Sequence, residues 1–293
     1  MSKEIFGIVP PMVTPFDSHE ELDEAALRAD VDYLISEAKV HGLAVGGSTG
    51  EGHTLSIDEL RQAIGTAVSA ANGRVPVIAG VIVDSTRQAI AYSRALADLD
   101  VAALQVTPVH YLFRPSDDAL LRHFAAIADA VDIPIIIYNV VPWTYCSPQL
   151  LTKIIDEVPG VIGVKQSAGD LKQVADLLHL CGDRGLIMSA VDALMYPSFA
   201  LKAHGAIAAI LTAAPAMCVQ LWDAVQAGDH NTALDLHDKL LVIWNAIMGD
   251  NLPANVKTAM RLQGRDGGIP RAPMPASSEA QVAAIVAALK IMN

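Results

Sequence analysis

A chain of 293 residues, 52% hydrophobic and 18% charged, has the size of one large α/β domain or two ordinary ones and is too apolar to stay disordered. A formal net charge of -12 argues against nucleic acid or a polybasic membrane contact as the main partner. Cys146, Cys181 and Cys218 form no CxxC pair and read as free thiols of a reducing compartment; with no secretory apolar segment at the start of the sequence, the expected setting is cytoplasmic.

In chain order, eight β-like runs recur. They cover 7–16, 42–47, 75–81, 101–108, 133–139, 161–167, 185–190 and 205–211. Their starts lie about 20 to 35 residues apart, the length of a strand plus a crossover helix. Helical spacing fills several of the gaps. Leu27, Val31, Leu34 and Ile35 share one face of a helix predicted over 22–40. Ser56 followed by Glu59 predicts a capping box at the head of a helix over 56–71. Segments 85–99, 116–131 and 147–158 each open on a serine and carry similar apolar spacing. The strands are rich in Val, Ile and Ala on both faces, as parallel strands buried on both sides require. The uncharged stretch 205–222 approaches membrane length, but Pro215 stands in its middle, and a strand, a loop and a helix start are expected instead.

These alternations predict an α/β fold of the (β/α)8 TIM-barrel type over 1–213. Residues 214–293 read as its last helix followed by a C-terminal helical extension in the same compact unit.

Chemistry in such barrels sits at the C-terminal ends of the strands. The residues there are Thr14 for the first run, the glycine-rich Gly46–Glu51 stretch for the second, Thr107 and then Tyr111 for the fourth, Tyr138 and Asn139 for the fifth, Lys165 and Gln166 for the sixth, and Ile210 to Thr212 for the eighth. A lysine on an apolar strand loses hydration in its charged form, and its neutral amine adds to carbonyl carbon to give a Schiff base. The plainer reading of Lys165 is an amine that snorkels out of the barrel or pairs with Asp192 or Glu51. The stretch GGSTGEGHTLS, 46–56, can present backbone N–H groups and the hydroxyls of Ser48 and Thr49 to an anion, or can merely join a strand to a helix. The Tyr138 phenol can move protons, or can cap the core with its hydroxyl in water. Of nine histidines only His53 and His110 fall near these loops, and neither HxH nor HExxH occurs, so no metal and no cofactor are expected.

Taken together, GIVPPMVTPFD at the start, GSTGEG at 47–52, IPIIIYNV at 133–140, GVKQSAGD at 163–170, HGAIAAI at 204–210, LPANVK at 252–257 and IPRAPM at 269–274 resemble the dihydrodipicolinate synthase and N-acetylneuraminate lyase superfamily over nearly the whole chain. The resemblance implies a lyase of Schiff-base type that acts on pyruvate or another 2-oxo acid, by aldol cleavage or condensation with an aldehyde or by dehydration of a 2-keto-3-deoxy acid. In it Lys165 is the imine-forming lysine and Tyr138 the proton relay. Ser48 and Thr49 hold the pyruvate carboxylate, Ser48 also joining the relay, and the backbone of Ile207 lines the pyruvate site. Tyr111 matches a loop tyrosine lent by a neighbouring subunit, and the family is typically a homotetramer built as a dimer of dimers. One departure stands out. Where the synthases continue YNVPxRT, this chain reads YNVVPWTYC, with Trp143 in place of the arginine that grips the second substrate's carboxylate. Trp143 therefore points to a flatter or less charged distal group, or else to simple core packing. Two rival readings remain: the synthase proper, with Arg114 holding that carboxylate, and a non-catalytic barrel that binds 2-oxo acids.

Overall fold

The computed structural model describes residues 4–109, 113–167 and 170–292. Eight parallel strands, β1 Gly7–Ile8, β2 Leu43–Val45, β3 Val77–Val81, β4 Ala103–Val106, β5 Ile135–Asn139, β6 Val161–Gln166, β7 Leu186–Ser189 and β8 Gly205–Ala206, run in the sheet order β1-β8-β7-β6-β5-β4-β3-β2. Closure between β1 and β2 comes from a parallel bridge, Pro11 to Ala44, with the Ala44 N–H donating to the Pro10 carbonyl at 3.0 Å and the Met12 N–H to the Ala44 carbonyl at 2.8 Å. The fold is a (β/α)8 barrel.

Two strands are shorter than the sequence suggests. The run 7–16 supplies only Gly7–Ile8, because Pro10 and Pro11 have no N–H to give a ladder. The run 205–211 supplies only Gly205–Ala206; Ile210 already belongs to the short helix α8, Ile210–Ala213. The outer helices are α1 Glu24–Ser36, α2 Ile57–Ala71, α3 Thr86–Ala95, α4 Asp117–Ala128, α5 Pro148–Glu157, α6 Leu171–Cys181 and α7 Met195–Ala200. The last two fill the gaps between the β-like runs 161–167, 185–190 and 205–211. The α2 capping box is present: the Ser56 hydroxyl accepts from the Glu59 N–H at 3.2 Å, and the Glu59 carboxylate accepts from the Ser56 N–H at 2.8 Å. Helices α3, α4 and α5 likewise start on capping Ser85, Ser116 and Ser147.

Buried side chains fall into two layers. One lies between strands and helices. The other fills the barrel with Val9, Ala44, Ile78, Ala103, Ile136, Met188 and Ile207. Period-two alternation from this inner set places Tyr138, two residues beyond Ile136, and Lys165, its register partner, on the inward face at the C-terminal mouth.

Beyond α8 the chain continues as α9 Pro215–Gln226, α10 His230–Ile247, α11 Leu252–Leu262 and α12 Glu279–Leu289. The uncharged 205–222 stretch is thus divided among β8, α8 and α9, and among the described residues no helix is long and apolar enough to cross a membrane. The C-terminal helices are stitched to the barrel by polar contacts. The Thr212 hydroxyl donates to the Pro11 carbonyl at 2.8 Å, and Arg265 donates to the Asp30 carboxylate on α1 at 2.7 Å and to the Thr212 carbonyl at 2.8 Å. Burial holds the Asp30 carboxyl above its usual range even with Arg265 beside it.

His123 turns inward on α4, with Nδ1 2.9 Å from the Thr86 hydroxyl. Nε2 has no partner of hydrogen-bond geometry among the described residues, and the Thr107 backbone favours the charged ring. Burial pushes the imidazole down to about 4 against that smaller pull. A histidine depressed in the fold is neutral there, while the unfolded chain binds a proton below about pH 6.5. Its contribution is complete above that pH and is lost as pH falls toward the folded value. Between pH 7 and pH 4.5, wild type is expected to lose about 2–3 kcal/mol more of unfolding free energy than His123→Gln. Urea denaturation at both pH values measures this, and parallel losses in the two proteins would refute it.

Candidate active site

Three strand ends converge at the C-terminal mouth. On β6, Lys165 sits opposite Tyr138 of β5 and Met188 of β7. These strands pack closely because Gly163 has no side chain: a Cβ there would lie 2.0 Å from the Leu186 carbonyl oxygen. The Lys165 side chain is 3% exposed, and its Nζ lies 3.8 Å from the centroid of the Tyr138 ring. No ion pair to Lys165 is present among the described residues, and Glu51, one of the partners weighed from sequence, is bonded to Lys257 instead. The Tyr138 hydroxyl donates to the Ser48 hydroxyl at 3.1 Å. Lysine, tyrosine and serine, from three separate stretches of sequence, therefore form one contiguous chain of groups.

Ser48 and Thr49 sit on the turn after β2. The Glu51 N–H donates to the Ser48 carbonyl at 3.0 Å, and the Gly52 N–H to the Gly47 carbonyl at 3.0 Å. Gly52 admits this closure, since a Cβ there would stand 1.9 Å from the Gly46 carbonyl oxygen. From β1's extension, the Thr14 hydroxyl donates to the Gly50 carbonyl at 2.6 Å and ties the turn to the barrel rim.

Around these groups lies a cavity of about 340 Å³. Ser48, Thr49, Tyr138, Lys165 and Ile207, all named from sequence, line it together. The Ile207 N–H donates to the Ser189 carbonyl at 2.9 Å, which fixes its backbone at the cavity wall. Other hollows are as large: one of about 440 Å³ opens at the N-terminal mouth beside Glu4 and His204. Volume alone does not locate the chemistry; the convergent lysine, phenol and hydroxyls do.

The sequence offers Asp192 only as a partner for Lys165, yet it lines the cavity in its own right. It stands just past β7, whose end the strand-end reading left out. It is half-buried, and its carboxylate accepts from the Ile210 N–H at 2.8 Å. Burial pushes the carboxyl up to about 6, against smaller opposing pulls from that N–H and from the charge of Lys165. Leu252 and Pro253 from α11, and Met274 from the segment before α12, complete the wall. No sequence pattern marks these three as pocket residues.

Trp143 does not join this lining. It occupies the 3-10 turn Pro142–Thr144 that follows β5 and is 59% exposed, so core packing is not its role. Asn139 shapes that connection: its amide donates to the Cys146 carbonyl at 3.1 Å and to Gln166 at 3.0 Å, while the Cys146 N–H donates to its side-chain oxygen at 2.9 Å. Arg114 is exposed and ion-paired with Asp117 at 3.1 Å, close enough to Cys146 to act on its thiol. Tyr111 lies outside the described residues.

Residues 4–292 match the Dihydrodipicolinate synthetase family. A 4-hydroxy-tetrahydrodipicolinate synthase of Methanopyrus kandleri is 36% identical over 282 residues, covering 95% of this chain and 93% of that protein. Among solved structures, a chloride-inhibited dihydrodipicolinate synthase from Acinetobacter baumannii, complexed with pyruvate, superposes with a TM-score of 0.91 at 29% identity, covering 98% of this chain and 99% of the other. An N-acetylneuraminate lyase from Mycoplasma synoviae superposes with a TM-score of 0.86 at 26% identity, covering 98% and 96%.

Proposed function

Because this chain belongs to the dihydrodipicolinate synthetase family, we propose that Lys165 forms its Schiff base with pyruvate or a related 2-oxo acid. The chain is a lyase of the Schiff-base type, and the observation that carries the residue roles is the Lys165–Tyr138–Ser48 line of contacts. The amine adds to the keto carbon. Tyr138 passes a proton to the carbinolamine oxygen, which leaves as water. The resulting iminium withdraws electrons, so a proton lost from the adjacent methyl carbon gives an enamine. That carbon then forms a bond to an aldehyde, or the reverse step breaks one. Ser48 relays the proton onward from Tyr138, and with Thr49 and the N–H groups of its turn it receives the carboxylate.

The distal end of the pocket sets the second substrate. Among the described residues, Lys165 is the only lysine or arginine lining it, and Val140, Leu252, Pro253 and Met274 are apolar. Asp192 adds a carboxyl that burial pushes up to about 6. Such a wall offers no second cation to a distal carboxylate and favours an uncharged aldehyde. We also infer a cytoplasmic homotetramer, a reading supported by family membership and, for the assembly, by Phe113, an apolar side chain left 82% exposed.

The test is borohydride reduction in the presence of pyruvate, followed by peptide mass mapping and rate comparisons across aldehydes. A stable adduct on Lys165 is expected, with uncharged hydroxyaldehydes or aromatic aldehydes turned over at least about tenfold more efficiently than aspartate semialdehyde. Efficient turnover of aspartate semialdehyde at low KM would reverse the substrate reading and direct attention to Arg114. Adduct formation without turnover of any aldehyde or sugar acid would instead fit a barrel that only binds.

A further inference from the structure

The charge at the end of the glycine-rich turn has no part in the chemistry above. Glu51 stands two residues after Thr49 in a left-handed backbone conformation, φ 54° and ψ 30°, which glycine adopts at lower cost. A side chain held there against that preference must be making contacts of its own. Its carboxylate is fully buried; Oε1 accepts from the Lys257 ammonium at 2.7 Å and Oε2 from the Arg271 N–H at 2.9 Å. Lys257, on α11 and 2% exposed, also donates to the Ile269 carbonyl at 2.6 Å and sits 4.7 Å from the Phe16 ring centroid.

The chain separation between the two partners is 206 residues. Helix α11 also brings Leu252 and Pro253 to the pocket wall. One ion pair therefore joins the turn that carries Ser48 and Thr49 to another element that lines the same cavity. Removing two charges from water is costly, and an apolar pair of similar volume is often as stabilising. What an apolar pair cannot supply is a direction: the two-sided grip on Glu51 permits one orientation of the turn.

We propose that Lys257 is a positioning residue which, through Glu51, locks the Ser48–Thr49 turn in the shape that receives the substrate carboxylate. This rests on the reading of that turn as the 2-oxo-acid cradle.

The experiment uses pyruvate as the probe and the full-length protein in four forms: wild type, Glu51→Gln, Lys257→Met and the double variant. Each is melted thermally, and each is titrated with pyruvate under borohydride to obtain the concentration that half-saturates adduct formation. The Lys257→Met protein, left with a lone buried carboxylate, is expected to melt lowest. The double variant has no lone charge and regains most of that loss, yet its half-saturating pyruvate concentration stays raised by about tenfold. Its adduct yield at saturating pyruvate matches wild type, because Lys165 is untouched. A double variant with wild-type half-saturation would show the pair to be a structural staple and overturn the proposal. If the double variant does not fold, Glu51→Gln decides alone. It keeps the side-chain shape but presents its amide N–H either to the Arg271 N–H or to the Lys257 ammonium, and a rise of about threefold is expected; no rise overturns the proposal. Absence of an adduct in wild type removes the cradle reading itself, and the role of Lys257 falls with it.

Discussion

Lys165→Ala is expected to abolish adduct formation with pyruvate and to lower kcat/KM by a factor on the order of 10⁴ or more. The pocket offers no replacement. Among its described lining residues Lys165 is the only amine, and Lys257 is held away from it by Glu51 and the Ile269 carbonyl. The loss should be catalytic and not structural. Lys165 is 3% exposed and lies over an aromatic ring without an ion pair among the described residues, an arrangement that costs hydration and returns little stability. Lys165→Met, which fills nearly the same volume, is therefore expected to melt at or above the wild-type temperature while showing no adduct. A clear drop in melting temperature for the methionine variant would mean that the lysine serves the fold. Residual adduct in the alanine variant, mapped to another lysine, would mean that the nucleophile has been misassigned.

Tyr138→Phe isolates the phenolic hydroxyl. The ring beneath the Lys165 ammonium is retained, so the packing that places the lysine is unchanged. What disappears is the proton donor bonded to Ser48. Losing a positioned acid–base group lowers kcat by about 10²–10⁴. The loss of one hydrogen bond lowers stability by only about 1 kcal/mol. Adduct with pyruvate is still expected, formed more slowly, since the amine and the carboxylate cradle remain. Stopped-flow or quenched borohydride trapping separates the two effects: a reduced rate of adduct formation with little change in its final extent. An unchanged rate would remove Tyr138 from the relay and leave it a packing residue.

Much of this was legible in the residues themselves. Eight apolar runs separated by helical spacing, with serines at the heads of α2, α3, α4 and α5, follow from local steric and hydrogen-bonding rules that act over a few residues, and they specify a barrel. The strand-end rule then turns Lys165, Tyr138, Ser48 and Thr49 into neighbours, because closing the sheet brings the ends of all strands to one mouth. The errors were also local in kind. The prolines at 10 and 11 end the first ladder early, and α8 takes over residues assigned to the eighth strand.

Other properties were decided only by the tertiary structure. Asp192 carries no motif; it is the walls around it that push its carboxyl up to about 6. Leu252, Pro253 and Met274 read as ordinary apolar residues of an extension, and they become pocket walls only when α11 and the following segment fold back over the mouth. The surface position of Trp143 depends on the turn that Asn139 and Cys146 shape. The grip of Lys257 on Glu51 spans 206 residues, beyond any periodicity. Secondary structure and the strand-end residues depend on forces between near neighbours in the chain, so the sequence alone determined them. Burial, the electrostatic setting of a carboxyl and contacts between distant segments depend on what packs around each group, and that exists only once the chain has closed.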